Sequence, residues 1–251
     1  VLTIETDGYS YGMQVIVYGT GDRDSYDTND FETPEGGLIF GEWVTGKHSL
    51  NGDGTVITGD GDDFIYMDRV LGTEASGNVN LFTGDGNDVI VAKNGAVANG
   101  SHIDMGEGDN RFHIYGDAVH ELKVLMGDGN NTIEGAGGNS GGIFTLGNGD
   151  NTFNIDGSLV SSSVITTGDG DNTLSVAGNM LAGVDMGNGD NTVFRGGDLE
   201  AGSHINTGSG NDTIYIGGGI YGDVDAGAGD DYVIMTSDSP GWGWWGVSVN
   251  G

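Results

Sequence analysis

Residues Thr207 to Asp225 read TGSGNDTIYIGGGIYGDVD, and the rest of the chain is built from variants of this stretch. Its opening is a small or apolar residue, then Gly-x-Gly, then two Asx residues, then alternating apolar residues. The first turn glycine recurs at Gly59, Gly84, Gly106, Gly127, Gly147, Gly168, Gly187, Gly208 and Gly227. The steps between them are 25, 22, 21, 20, 21, 19, 21 and 19 residues. A period near 20 with strand-like content predicts a solenoid, in which each repeat is one coil and stacked coils bury a common core.

Two columns fix the inward face. With the residue before the turn glycine as position 1, position 8 is Ile65, Ile90, Phe112, Ile133, Phe153, Leu174, Val193, Ile214 and Val233. Two residues before position 1 stand Val56, Leu81, Ile103, Val124, Phe144, Ile165, Val184, Ile205 and Val224. Alternate strand residues face opposite sides, so both columns point inward. Each coil is therefore read as two short strands joined by a tight Gly-Asx turn on one side and a looser glycine-containing turn, such as Gly217-Gly218-Gly219, on the other. The fold class expected is all-β, a parallel β-solenoid with coils of about 19–22 residues.

The ends depart from this rhythm. Residues 1–57 are read as irregular N-terminal coils or a cap, 58–235 as the regular repeats, and 236–251 as a Trp-rich C-terminal cap or docking tail. Tyr18-Gly19-Thr20-Gly21-Asp22 resembles a repeat turn two coils before Gly59, with Leu38, Ile39 and Phe40 in the coil between. Asp22 to Glu35 reads as a loop thrown out from a coil. The run Trp242-Gly243-Trp244-Trp245 reads as a plug over the last coil, because an open solenoid end exposes seam residues and strand edges. A start at Val1 rather than Met points to a processed chain or a segment of a longer one.

Charge narrows the partners. Seven Lys and Arg stand against 38 Asp and Glu, a formal charge of −31, which disfavours nucleic acid and anionic membranes and favours cations. No apolar run is long enough for membrane insertion. There is no cysteine, so disulfides are excluded.

The acids sit at fixed turn positions. At positions 3, 5 and 6 stand Asp60, Asp62 and Asp63; Asp85, Asn87 and Asp88; Glu107, Asp109 and Asn110; Asp128, Asn130 and Asn131; Asn148, Asp150 and Asn151. The series continues with Asp169, Asp171 and Asn172; Asn188, Asp190 and Asn191; Ser209, Asn211 and Asp212; Ala228, Asp230 and Asp231. Carboxylates stacked ~4.8 Å apart repel by roughly 0.9 kcal/mol per neighbouring pair even in water. Hard cations with oxygen ligands are the natural remedy, and Ca2+ accepts carboxylates and carbonyls in flexible geometry. The metal ligands expected are Asp60, Asp62, Asp63, Asp85, Asp88, Asp109, Asp128, Asp171, Asp212, Asp230 and Asp231.

The turn and following strand, as in Gly84-Asp85-Gly86-Asn87-Asp88-Val89-Ile90, resemble the repeats-in-toxin calcium repeat, a parallel β-roll motif of secreted bacterial proteins. The longer coil is similar to the 19-residue repeat of the ice-binding region in giant marine bacterial adhesins. Thr207 to Asp225 fits that form throughout, except that Ser209 stands in place of its Thr. The resemblance covers roughly residues 58–235. It implies that the position 6 carboxylates Asp63, Asp88, Asp212 and Asp231 hold calcium. In the five middle coils position 6 is Asn110, Asn131, Asn151, Asn172 and Asn191, which either supply a neutral oxygen ligand or build an amide ladder without metal. The resemblance also raises ice binding, against which position 3 is mostly acidic and never Thr. The aligned Thr132, Thr152, Thr173, Thr192 and Thr213 sit at position 7, where β-propensity accounts for them.

No catalytic constellation emerges. The basic residues are scattered, His102 and His204 occupy equivalent places five coils apart, and His113 and His120 read as solvated strand positions. The function expected is therefore not enzymatic: a secreted, cell-surface, cation-stabilised structural or adhesive solenoid, self-associating end to end or laterally in a fibre, adhesin or S-layer-like assembly. Surface polysaccharide is the other partner considered. The alternatives are an ice-binding protein and a carbohydrate-associated calcium module of a polysaccharide-modifying enzyme.

Overall fold

A computed structural model describes residues 16–18, 25–27, 54–57, 60–67, 79–92, 100–115, 122–136, 139–236 and 249–250. Within them the chain winds as a parallel β-solenoid. Its strands alternate between a 12-stranded and a 10-stranded sheet, and each strand pairs with its counterpart in the next coil. Among the described residues no helix is long and apolar enough to cross a membrane.

The strands form where the sequence alternates. In Thr173–Val176 the second and fourth residues are buried, and in Leu122–Met126 the first, third and fifth are. Register keeps the inward columns stacked: Phe112, Ile133, Phe153, Leu174, Val193 and Ile214 follow one another across the second sheet. All six are at most 2 % exposed, and so are Leu81, Ile103, Val124, Phe144, Ile165, Val184, Ile205 and Val224 on the first sheet. Phe144 and Phe153 meet edge to face across the core, their centroids 4.9 Å apart. Each such side chain contributes roughly 1.5–3 kcal/mol on burial, so the seam is the main stabilising element of every coil.

A further inward column runs along the side that the sequence presents only as a loose turn. Leu159, Met180 and Leu199 are fully buried there, and Ile220 packs against them. Met180, Leu199 and Ile220 are joined by single parallel bridges, and Leu159 pairs with Met180 beside a bulge in Ser158–Thr166. All four stand thirteen residues after position 1 of their coil, so the signal was present, but the surrounding glycines and small polar residues masked it.

On the tight side, glycine is required at position 4. Gly149 has φ of +122°, closed to residues with a side chain, and a Cβ there would be driven into the Gly129 carbonyl of the coil before. The same holds for Gly129 against Gly108. Coil-to-coil backbone approach at this turn leaves no room for an atom more.

Two readings of the N-terminal region are corrected. Ile16–Tyr18 pairs directly with Gly54–Ile57, Val17 opposite Val56, so no coil separates them. Leu38, Ile39 and Phe40, assigned to such a coil, lie outside the described residues. Ser25–Asp27, inside the segment read as a loop, is a strand paired with Phe64–Met67, and Tyr26 takes the position 8 place beside Ile65. One tyrosine among polar neighbours was too little pattern to show it. At the other end Val249–Asn250 adds a strand beside Asp223–Asp225, while the tryptophan run lies outside the described residues.

Candidate cation sites on the Gly-Asx edge

The three Asx columns of the turn are hydrogen-bonded ladders, and they do not share a side. At position 5 each side-chain oxygen accepts the backbone N–H of the same position one coil later. Asn87 N–H donates to Asp62 Oδ1 at 2.9 Å, and the row continues unbroken to Asp230 N–H on Asn211 Oδ1 at 3.0 Å. Position 3 behaves alike from Asp60 to Asn188, with Glu107 Oε2 accepting from Asp128 N–H at 2.6 Å. Both columns are exposed.

Position 6 turns inward and runs the other way. Asp63 N–H donates forward to Asp88 Oδ1 at 2.8 Å, and the row passes through every coil to Asp212 N–H on Asp231 Oδ1 at 3.0 Å. Consecutive residues of an extended turn point to opposite sides, so positions 5 and 6 of one coil cannot converge. The ligand set therefore divides. Asp60, Asp62, Asp85, Asp109, Asp128, Asp171 and Asp230 line the outer ridge, together with Asp150, Asp169 and Asp190, whereas Asp63, Asp88, Asp212 and Asp231 face the interior. Among the described residues no group of three or more acidic or histidine side chains gathers at one point.

The columns also show why Asx is needed with or without a metal. An oxygen two bonds from Cβ reaches the next coil's amide, and Asp and Asn supply it equally. At the inward position the second atom distinguishes them. Asn151 Nδ2 donates to Gly147 O and Gly149 O of its own turn, both at 2.9 Å. Asn131 Nδ2 reaches Gly127 O at 2.8 Å and Gly129 O at 3.1 Å, and Asn110 and Asn172 repeat the pattern. In the middle coils the amide thus closes the turn by itself and the ladder is complete through them.

An aspartate places an oxygen where that donor stands. Asp212 Oδ1 accepts from Asn191 N–H at 2.7 Å, and its Oδ2, like Asp231 Oδ2, is buried and accepts no backbone N–H. Burial pushes the Asp212 carboxyl up, against the pull of the Asn191 amide and the Thr207 hydroxyl, with the charge of Asp231 adding to the rise. Asp88 is pushed up to about 6, mainly by burial, the charges of Asp63 and Asp62 adding to it. Buried carboxylate oxygens that no backbone N–H satisfies fit a hard cation of the Ca2+ kind, and in the Asn coils the equivalent atom is an N–H donor to turn carbonyls.

The outward face of the second sheet carries a different cluster. Arg111 Nη2 bonds both oxygens of Glu134, at 3.1 and 3.0 Å, and His113 Nδ1 lies 2.9 Å from Glu134 Oε2. His113, read from sequence as a solvated strand position, is instead half-buried and held by a carboxylate 21 residues away. His120 lies outside the described residues.

No protein-family model matches the chain, and no curated protein matches it. Among solved structures it is similar to a hyperactive, Ca2+-dependent, β-helical antifreeze protein from an Antarctic bacterium. The two are 20 % identical, with 90 % of this chain and 87 % of that one covered, at a TM-score of 0.45. A likeness this loose carries no residue role from one chain to the other.

Proposed function

We propose that this chain is an extracellular structural or adhesive solenoid that takes up divalent cations, calcium foremost, on its Gly-Asx edge and joins neighbouring copies through them into a surface assembly. The observation that supports this reading is the pair of outward ladders at positions 3 and 5. Carboxylates there spend one oxygen on a backbone N–H and leave the other to solvent, so a ridge interrupted by Asn87, Asn130, Asn148, Asn188 and Asn211 presents anionic oxygens at one or two steps of the ~4.8 Å coil spacing. Side chains fixed in this way lose little further entropy when a cation is shared between them or between two ridges. Inside, Asp63, Asp88, Asp212 and Asp231 would hold a cation at the end coils. The positive charge would offset their burial and tie folding to a calcium-rich environment.

Melting and electron microscopy with millimolar calcium or with chelator test this at two pH values. At pH 7.5, chelator is expected to lower the melting midpoint by roughly 5–10 °C and to disperse lateral assemblies. At pH 5 the gap narrows. A carboxyl raised from 3.8 to about 6 is protonated in the folded state at pH 5 and must lose that proton to bind calcium, so calcium stabilises less there; the group's own cost to stability builds up between 3.8 and 6 and is complete above 6. Equal midpoints and the same dispersed particles in calcium and chelator at pH 7.5 would sink the proposal.

A second reading, ice binding, is favoured by one feature. Thr132, Thr152, Thr173, Thr192 and Thr213 stand in unbroken register on the outward face of the second sheet, one hydroxyl and one methyl per coil. Thermal hysteresis of the purified chain decides it: a freezing gap that disappears when Thr173 is changed to Lys supports ice as the ligand, and none excludes it.

A further inference from the structure

The row beside those threonines is not uniform, and its order carries information. Register places His113, Glu134, Asn154, Ser175, Phe194 and Tyr215 next to one another across six coils, all facing outward. Five coil steps make the row about 24 Å long at ~4.8 Å per step.

The row continues to Val91 beyond His113 and to Ile234 beyond Tyr215, and this six-coil stretch is bounded by two aromatic platforms of different construction. At one end a shallow depression of about 220 Å³ is lined by His113, Tyr115, Glu134, Asn154 and Asp156. The Glu134 carboxylate there is fixed by Arg111 and His113, and the His113 and Tyr115 rings lie parallel within 9°, centroids 6.1 Å apart. Burial and the Arg111 charge hold His113 below its ordinary pKa against the pull of Glu134, so the imidazole stays neutral at pH 7. At the other end Phe194 and Tyr215 stack at 5.0 Å and 6°, with Phe194 47 % exposed. Phe194 and Tyr215 together leave a flat aromatic stack open to water on the sheet face. Between the platforms the strip offers the Asn154 amide and the hydroxyls of Ser175 and the neighbouring threonine row.

We propose that this strip binds a neutral, linear polysaccharide lying along the solenoid axis, one sugar ring seated in the depression beside Tyr115 and another on the Phe194–Tyr215 stack. The chemistry suits such a chain: sugar rings present C–H faces to aromatic rings and hydroxyls to amides, carboxylates and hydroxyls. A peptide strand would seek backbone partners at a sheet edge, and the strip is a face with its backbone already paired. Anionic glycans are disfavoured by the formal charge of −31 and by Asp156 in the depression, while Arg111 is already paired with Glu134. The strip shares no residue with the acidic edge, so it stands whether or not that edge takes cations.

The test is calorimetric and NMR titration of the intact chain with cellohexaose, mannohexaose and laminarihexaose, with an oligoguluronate hexamer as the anionic arm, each in calcium and in chelator. At least one neutral hexamer is expected to bind at one per chain, with the same affinity in both conditions and with shifts at Tyr115, Phe194 and Tyr215. Tyr115→Ala and Phe194→Ala each weaken it about tenfold, the loss of one stacked platform, while circular dichroism is unchanged because both rings are on the surface. The proposal is overturned if no neutral hexamer binds, if oligoguluronate binds as tightly as the best of them, or if both ring deletions leave the affinity unchanged.

Discussion

Changing Arg195 to methionine is expected to stabilise the solenoid by about 2–4 kcal/mol, a large gain from a single site. Arg195 occupies an inward place: Val176 precedes it in the column and Ile216 follows. It is 1 % exposed, and Nε, Nη1 and Nη2 all lack a hydrogen-bond partner. Burial lowers its pKa to about 10, with the Asp198 and Glu200 carboxylates pulling back, so the guanidinium remains charged at neutral pH. Those two carboxylates are engaged elsewhere, Asp198 with Gly219 N–H at 2.6 Å and Glu200 with Asn179 Nδ2 at 2.9 Å. The core therefore holds a charge without a hydrogen bond, offset only through space by Asp198 and Glu200, which costs several kcal/mol, and methionine fills a similar length with no charge. Urea unfolding of the two proteins measures it: the midpoint should rise at constant slope. A fall in midpoint would mean that the guanidinium has a partner in solution, a trapped water or anion, and that the site is a device rather than a cost.

Arg195 also marks the limit of what periodicity reveals. The column rule that places Val176 and Ile216 inside places Arg195 inside too, yet a reading by residue type sets it aside as one of a few scattered cations. The seam was legible because two columns repeat in every coil and a strand has only two faces. The column on the loose side was not, because Leu159, Met180, Leu199 and Ile220 stand among glycines and small polar groups, where pairing thins from the strands Ser158–Thr166 and Met180–Asp185 to isolated bridges at Leu199 and Ile220. The turn acids were legible as positions but not as directions. Whether Asp62 and Asp63 converge depends on the local turn of the backbone, and they diverge. The Glu134 contact to His113 spans one coil, and nothing in the sequence near His113 announces it. Register had to be known first.

The inward Asx column yields the sharpest test of the cation reading, by exchanging its two side chains. Asn151→Asp in chelator is expected to cost about 3–5 kcal/mol. It removes a donor from Gly147 O and Gly149 O and sets a buried carboxylate against both. Millimolar calcium should return most of that loss, because the new oxygen then resembles Asp212 Oδ2. Asp212→Asn should do the reverse. An amide there can close its turn as Asn191 does toward Gly189 O at 3.0 Å, so the variant gains about 1–3 kcal/mol in chelator and its response to calcium shrinks. The four combinations of variant and ion, read as melting midpoints, separate the inward carboxylates from the outer ridge, which neither change touches. If Asn151→Asp is damaged equally in calcium and chelator while Asp212→Asn leaves the calcium response intact, the interior holds no cation. Any effect of calcium on the chain then belongs to the ridge alone. If the two variants instead exchange calcium dependence, a single atom at position 6, nitrogen or oxygen, decides whether a coil closes by itself or needs a cation.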